Sequence, residues 1–149
     1  MIYPHLHYCC AIWGGAYTTY VNSLLLSQKK ILRVMYFKSR YSHTMELFRE
    51  HKLLRIQDII KLNTLMFVHK SLSSLPIHRD FSRLAHSASR RAGHLSLPLC
   101  RTSHAQQNIM YRGCKQWNEL PEHIINEQNL TSFKNKVKNF FLSSYENPS

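Results

Sequence analysis

The stretch Thr19-Tyr-Val-Asn-Ser-Leu-Leu-Leu-Ser-Gln-Lys-Lys-Ile-Leu-Arg-Val-Met-Tyr-Phe37 decides the fold. Laid out at helical spacing, Val21, Leu24, Leu25, Ile31, Leu32 and Met35 gather on one broad face. Lys29, Lys30 and Arg33 fall on the other side, with Leu26 as the one apolar residue among them. The segment therefore predicts an amphipathic helix with an apolar back and a cationic front. Taken alone, such a front is also what an ordinary solvated helix shows, so the wider charge pattern has to decide its use.

That wider pattern is strongly basic. Within 149 residues, 20 Lys and Arg face 8 Asp and Glu, a formal charge of +12. Such an excess destabilises a compact chain by self-repulsion unless a polyanion or an anionic surface lies nearby. Nucleic acid is the commonest such partner and an anionic membrane face the next. The length suits one domain with a real core, and the 44% apolar content argues against wholesale disorder. No apolar run is long enough to span a bilayer, and Met1–Cys10 lacks the basic start and continuous apolar stretch of a signal peptide. The expectation is an intracellular protein that is not secreted, with its four cysteines as thiols.

Outward from the central helix, Ile2 to Trp13 predicts a helix of about three turns, with Pro4 tolerable only in its first turn. Gly14-Gly15 breaks it, and Thr18 or Thr19 is the expected N-cap of the central helix. Lys38 to Ser42 is a short basic link. Thr44 can cap a short helix to Glu50, with Met45, Leu47 and Phe48 inward. Ile56 to Leu72 carries apolar residues around most of its circumference, as a helix buried on more than one side does, and Pro76 marks its end.

From Phe81 to Asn118 there is no carboxylate, whereas Arg83, Arg90, Arg91, Arg101, Arg112 and Lys115 all lie there. Its middle, His86 to Gln107, has little periodicity and predicts an irregular connection, either functional or merely solvated. Leu95, Leu97 and Leu99 alternate, which permits one short strand that Pro98 would confine to an edge. Trp117 and Leu120 are expected core anchors, and Pro121 opens another helical turn. A last helix from Thr131 or Ser132 presents Phe133, Val137, Phe140 and Phe141 on one face, flanked by Lys134, Lys136 and Lys138. The tail after Ser143 is expected to fray.

The implied fold class is mostly α: a small bundle of five or six helices with a long irregular basic segment. Residues 1–80 would form a helical bundle, 81–108 the basic connection, and 109–149 a C-terminal extension packing on the same core. No catalytic centre is legible. The eight acids are scattered, and Gly14-Gly15 lacks the later glycine and lysine of a phosphate loop. Cys9 or Cys10 beside His5 or His7 reads as buried thiols next to surface histidines rather than a nucleophile and its base. Neither His5, His7, Cys9 and Cys10 nor Cys100, His104 and Cys114 has the paired spacing of a zinc site. No cofactor or metal is expected.

The remaining signal is cationic and aromatic. Lys29, Lys30, Arg33, Lys38, Arg40, Arg90, Arg91, Arg112 and Lys115 are the candidate nucleic-acid ligands. Tyr36, Tyr41 and Tyr111 lie beside Lys38, Arg40 and Arg112, where a ring could stack on a base. The competing reading of each tyrosine is a core ring with a wet hydroxyl.

Several stretches, in order, are familiar. Tyr3-Pro4-His5-Leu6 with Tyr8-Cys9, then Trp13-Gly14, Leu26, Gln28-Lys29-Lys30 and Arg33 come first. His43-Thr44 with Leu47-Phe48 comes next, then Gly113, Trp117-Asn118 and Leu120-Pro121, then Phe133-Lys134 and Val137-Lys138. The set resembles the region just downstream of the polymerase core in LINE-type (non-LTR) retrotransposon reverse transcriptases, across nearly the whole chain. The resemblance implies a helical thumb and C-terminal extension that grips template and primer, with Lys29, Lys30 and Arg33 on or near the nucleic-acid side. The palm Asp-Asp motif, the finger motifs, an endonuclease domain and a terminal zinc knuckle are absent from the sequence. The expectation is thus a non-catalytic fragment, its parent an RNA-directed DNA polymerase, that binds RNA or an RNA–DNA duplex without sequence preference and has lost its upstream polymerase core. Two alternatives stand beside it. One is a helical interaction module that docks on a partner domain. The other is peripheral membrane binding by the basic, Phe-rich helix from Thr131 to Leu142.

Overall fold

Ile56 to Ser73 is the axis on which the other helices pack. The computed structural model describes residues 6–73 and 93–145; Pro76, Arg90 and Arg91 lie outside them. Eight helices occur among the described residues, four of them at least seven residues long, and no strand. They are α1 (Cys10–Trp13), α2 (Thr18–Met35), α3 (Met45–Glu50), α4 (Ile56–Ser73), α5 (Ser103–Gln106), α6 (Ile109–Asn118), α7 (Glu122–Ile125) and α8 (Leu130–Ser143). The protein is mostly α-helical, as its periodicity predicts.

α4 is apolar nearly all round and is covered nearly all round, by α1, α2, α6 and α8. Ile56, Ile59, Leu62, Leu65 and Val68 are buried together with Trp117, Leu120, Phe133, Val137 and Phe141. Full burial of each such side chain contributes about 1.5–3 kcal/mol, so α6 and α8 are held to α4 chiefly by these residues. Gly14 lets α1 approach: a Cβ there would sit 2.3 Å from Ile60 Cγ2 and 2.4 Å from the Cys10 carbonyl oxygen. A second, smaller cluster of Leu32, Leu47, Phe48 and Tyr145 lies under the C-terminal half of α2.

The apolar face of α2 is narrower than its sequence suggests. The residues turned inward are Val21, Leu25, Gln28 and Leu32, an i, i+4, i+7, i+11 stripe, whereas Leu24 and Met35 are exposed. Gln28, only 6% exposed, is the unexpected member. Its Nε2 donates to the Leu54 carbonyl at 2.9 Å, and its Oε1 accepts from the Ile56 N–H at 2.9 Å. One side chain thus hydrogen-bonds two backbone groups at the entrance to α4.

Other expectations need correction. The three-turn helix expected over Ile2–Trp13 is interrupted at Cys9, which takes a left-handed φ of 48°, so α1 is a single turn. Residues 1–5 lie outside the described part. The N-cap of α2 is Tyr17 rather than Thr18 or Thr19, and no side chain caps it. Thr44 does precede α3, but its hydroxyl makes no capping bond. The described part of the irregular segment, residues 93–107, contains one helical turn, α5, capped where the Thr102 hydroxyl accepts from the Ala105 N–H at 3.2 Å.

No strand forms at Leu95–Leu99, and the alternation runs the other way. Leu95 is buried while Leu97 and Leu99 face solvent. The Asn118 side chain takes the place of a ladder: its Oδ1 accepts from the Leu95 N–H and its Nδ2 donates to the Leu95 carbonyl, both at 2.8 Å. α8 starts at Leu130, because Asn129 Oδ1 accepts from the N–H groups of Thr131 and Ser132. The chain does not fray immediately after Ser143 either. Tyr145 is buried, and its hydroxyl donates to the Asp58 carboxylate and accepts from the Arg55 N–H at 3.2 Å. The Arg55 guanidinium lies 4.5 Å from the Tyr145 ring centroid and bonds the same carboxylate at 3.0 Å.

Candidate nucleic-acid interface

The C-terminal end of α2 and the loop behind it bring together five of the nine candidate cations. The helix ends without glycine or proline. Instead the Lys38 N–H donates to the Arg33 carbonyl at 2.8 Å and the Phe37 N–H to the Val34 carbonyl at 3.3 Å. This is a Schellman termination with Phe37 at the left-handed position, φ 50°, where glycine is usual. For a residue bearing a Cβ, that conformation costs about 1–2 kcal/mol. Nothing in the core compensates: the Phe37 ring is 97% exposed.

The loop is shaped from both ends. Arg33 Nε donates to the Ser42 carbonyl at 3.1 Å, folding the loop back on the helix, and Ser42 Oγ donates to the Ser39 carbonyl at 2.8 Å. At its base Tyr36 stacks on His51, with ring centroids 3.8 Å apart and planes 9° off parallel. Between these fixings Phe37, Lys38, Arg40 and Tyr41 all project into solvent, Tyr41 being 89% exposed. Lys30 is exposed one to two turns back along α2, and Lys29 and Arg33 are half-buried beside it. Among the described residues, no carboxylate forms an ion pair with Lys29, Lys30, Arg33, Lys38 or Arg40.

Of the other four candidates, Arg90 and Arg91 lie outside the described residues, and the two that are described stand apart from this end of α2. Lys115 is exposed on α6, which packs on α4 rather than on the end of α2. Arg112 turns inward, a correction to its expected place on the binding surface: Nη2 donates to the Ala11 carbonyl at 2.8 Å, and burial lowers its pKa from the ordinary arginine value. Of the three tyrosines, only Tyr41 is free to stack. Tyr36 is engaged with His51, and Tyr111 is half-buried. Phe37 is not legible as a site residue in the sequence; the one signal is a helix ending in Tyr-Phe-Lys where a glycine stop would be ordinary.

Two further surfaces bear on the alternatives. Tyr20, Leu24, Val34 and Met35 form an exposed apolar stripe along α2, beside the buried one. By contrast, Phe133, Val137 and Phe141 of α8 are buried in the core, and the one exposed aromatic residue of that helix, Phe140, is too little to make an apolar face that inserts in a bilayer. Among the described residues, no helix is long and apolar enough to cross a membrane. Nor do three His, Cys, Asp or Glu side chains among them converge as metal ligands would.

The thiols fall into two classes. Cys10 and Cys114 are buried, and burial pushes each thiol up to about 11, whereas Cys9 is exposed and Cys100 half-exposed. No protein-family model, curated protein or solved structure matches this chain.

Proposed function

We propose that the protein binds nucleic-acid backbone without sequence preference and without chemistry of its own, through the end of α2 and the loop 36–43. The observation that carries this reading is the interleaving of two almost fully exposed rings, Phe37 and Tyr41, with Lys38 and Arg40. Cations neutralise phosphates and exposed rings stack on bases of any identity, the combination that serves sequence-tolerant binding. The rings favour a strand with accessible bases, such as a single strand running into an RNA or RNA–DNA duplex. The resemblance to the post-polymerase region of LINE-type reverse transcriptases supports the same role, with the catalytic part supplied by an upstream polymerase core.

The test is the salt dependence of binding to a labelled single-stranded RNA. Each phosphate contact contributes about −0.7 to the slope of log affinity against log salt. Changing Lys30, Lys38 and Arg40 together to glutamine should make that slope shallower by about 2. An unchanged slope would remove this end of α2 from the binding surface.

A second reading, docking on a partner domain, draws on the exposed stripe of Tyr20, Leu24, Val34 and Met35. Concentration-dependent sedimentation without RNA affinity would favour it.

A further inference from the structure

At the opposite end of α2, about 27 Å away along an 18-residue helix, lies a cleft of about 360 Å³ between the α1–α2 junction, the start of α4 and α6. Its walls carry three cations, Arg55, Lys61 and Arg112, against one acid, Asp58. The acid is already engaged, by the Arg55 guanidinium and the Tyr145 hydroxyl. Glu119 lines an adjoining recess with Asp58 and Lys61. Arg55 is therefore compensated, whereas neither Lys61 nor Arg112 forms an ion pair among the described residues.

Arg112 is the unusual member. It is half-buried, it has no carboxylate partner among the described residues, and only its Nη2 bond to the Ala11 carbonyl is made. Its Nε is buried without an acceptor, and Gln116 Oε1, from the same cleft, is buried without a donor. A half-buried guanidinium lacking a counter-ion is unfavourable, and the N–H groups that the Ala11 carbonyl leaves uncommitted suit the oxygens of a phosphate. Thr18, at the uncapped start of α2, lines the same cleft, and no acid stands in that first turn. The volume falls in the range of small-ligand sites.

We propose that this cleft binds a phosphate group, with Arg112 and Lys61 as its cationic ligands. The site is separate from the loop 36–43 and stands whether or not that loop binds RNA. A phosphate could arrive as a free or terminal phosphomonoester or as a backbone phosphodiester.

The test is titration calorimetry on the full chain at constant ionic strength, with inorganic phosphate, a nucleoside 5′-monophosphate and a single-stranded oligonucleotide lacking terminal phosphate. Saturable binding is expected for at least one of the three. Arg112→Gln should weaken it about tenfold or more, as loss of a charge-assisted bond does. Lys61→Gln should weaken it about threefold, as loss of an exposed charge does. Lys61 is exposed, so its variant serves even if Arg112→Gln fails to fold. Binding of the first two ligands alone assigns a phosphomonoester. Sensitivity of the oligonucleotide alone to Lys61→Gln assigns the backbone. Lys38→Gln, at the far end of α2, should leave binding of inorganic phosphate and of the nucleoside monophosphate unchanged, which separates this site from the loop. No saturable binding of any ligand, or binding that Lys61→Gln leaves unaltered, overturns the proposal.

Discussion

Replacing Phe37 by glycine is expected to make the protein more stable and a poorer nucleic-acid ligand at once. The backbone at this position is left-handed, φ 50°, which disfavours any residue with a Cβ by about 1–2 kcal/mol. Glycine removes that penalty but enlarges the unfolded ensemble, a loss of about 0.5–1 kcal/mol. No packing is forfeited, because the ring lies almost wholly in solvent. The balance is a gain of about 0.5–1 kcal/mol, or roughly 1–4 °C in Tm for a chain of this size. The same change deletes a ring whose stacking on a base contributes about 1–3 kcal/mol, equivalent to roughly five- to a hundredfold in affinity. Phe37→Ala separates the two effects: it keeps the backbone strain and loses the ring, so its Tm should stay near that of the wild type while its affinity falls as in the glycine variant. Thermal unfolding and fluorescence anisotropy with a labelled RNA measure both quantities on the same preparations. A glycine variant that melts below the wild type would show that the ring packs on something, and undiminished affinity would show that it stacks on nothing.

Gln28→Leu should destabilise by about 2–4 kcal/mol despite the better helix former, since the Leu54 carbonyl and the Ile56 N–H both lose their buried partner; urea unfolding measures it, and a loss below about 1 kcal/mol contradicts the role. Burial holds the His7 imidazole below its ordinary value, opposed by the Asn63 hydrogen bond and reinforced by Lys134. With the folded pKa depressed, the unfolded chain protonates first, so this contribution is whole above about pH 6.5 and shrinks as pH falls toward the folded value. Between about pH 7.5 and about 5.5 the wild-type urea midpoint should therefore drop further than that of His7→Gln; equal drops would refute it. With an aromatic disulfide reagent near neutral pH, Cys9 and Cys100 should react quickly and Cys10 and Cys114 only on unfolding; four equal rates would contradict the core assignment.

Sequence periodicity located what depends on periodicity. The all-round apolar pattern of α4, and Trp117 and Leu120 as anchors, are where the spacing of apolar residues puts them, as are Phe133, Val137 and Phe141 of the expected α8 face; its fourth member, Phe140, is exposed. It failed where a side chain answers a backbone group distant in sequence. Gln28 is polar and counts toward the solvent side of any wheel, yet it turns inward to hydrogen-bond two backbone groups 26 and 28 residues on. Leu95 alternates with Leu97 as a strand would, but Asn118 supplies its hydrogen bonds and leaves no second strand to cover the other leucines. Arg112 has the composition of a surface cation and the geometry of a half-buried one, because the Ala11 carbonyl reaches it from 101 residues away in the chain. The basic loop after α2 is legible as charge, whereas its exposed Phe37 depends on a helix terminus that only the backbone reveals.

The central claim is that the loop 36–43 lies against nucleic acid, and photo-cross-linking to a single-stranded RNA bearing 5-iodouracil tests it most directly. Adducts mapped by mass spectrometry should fall on Phe37 and Tyr41 and should disappear as salt is raised from about 50 mM to about 200 mM. Adducts confined to other segments, or none at the lower salt despite an intact fold, would contradict it.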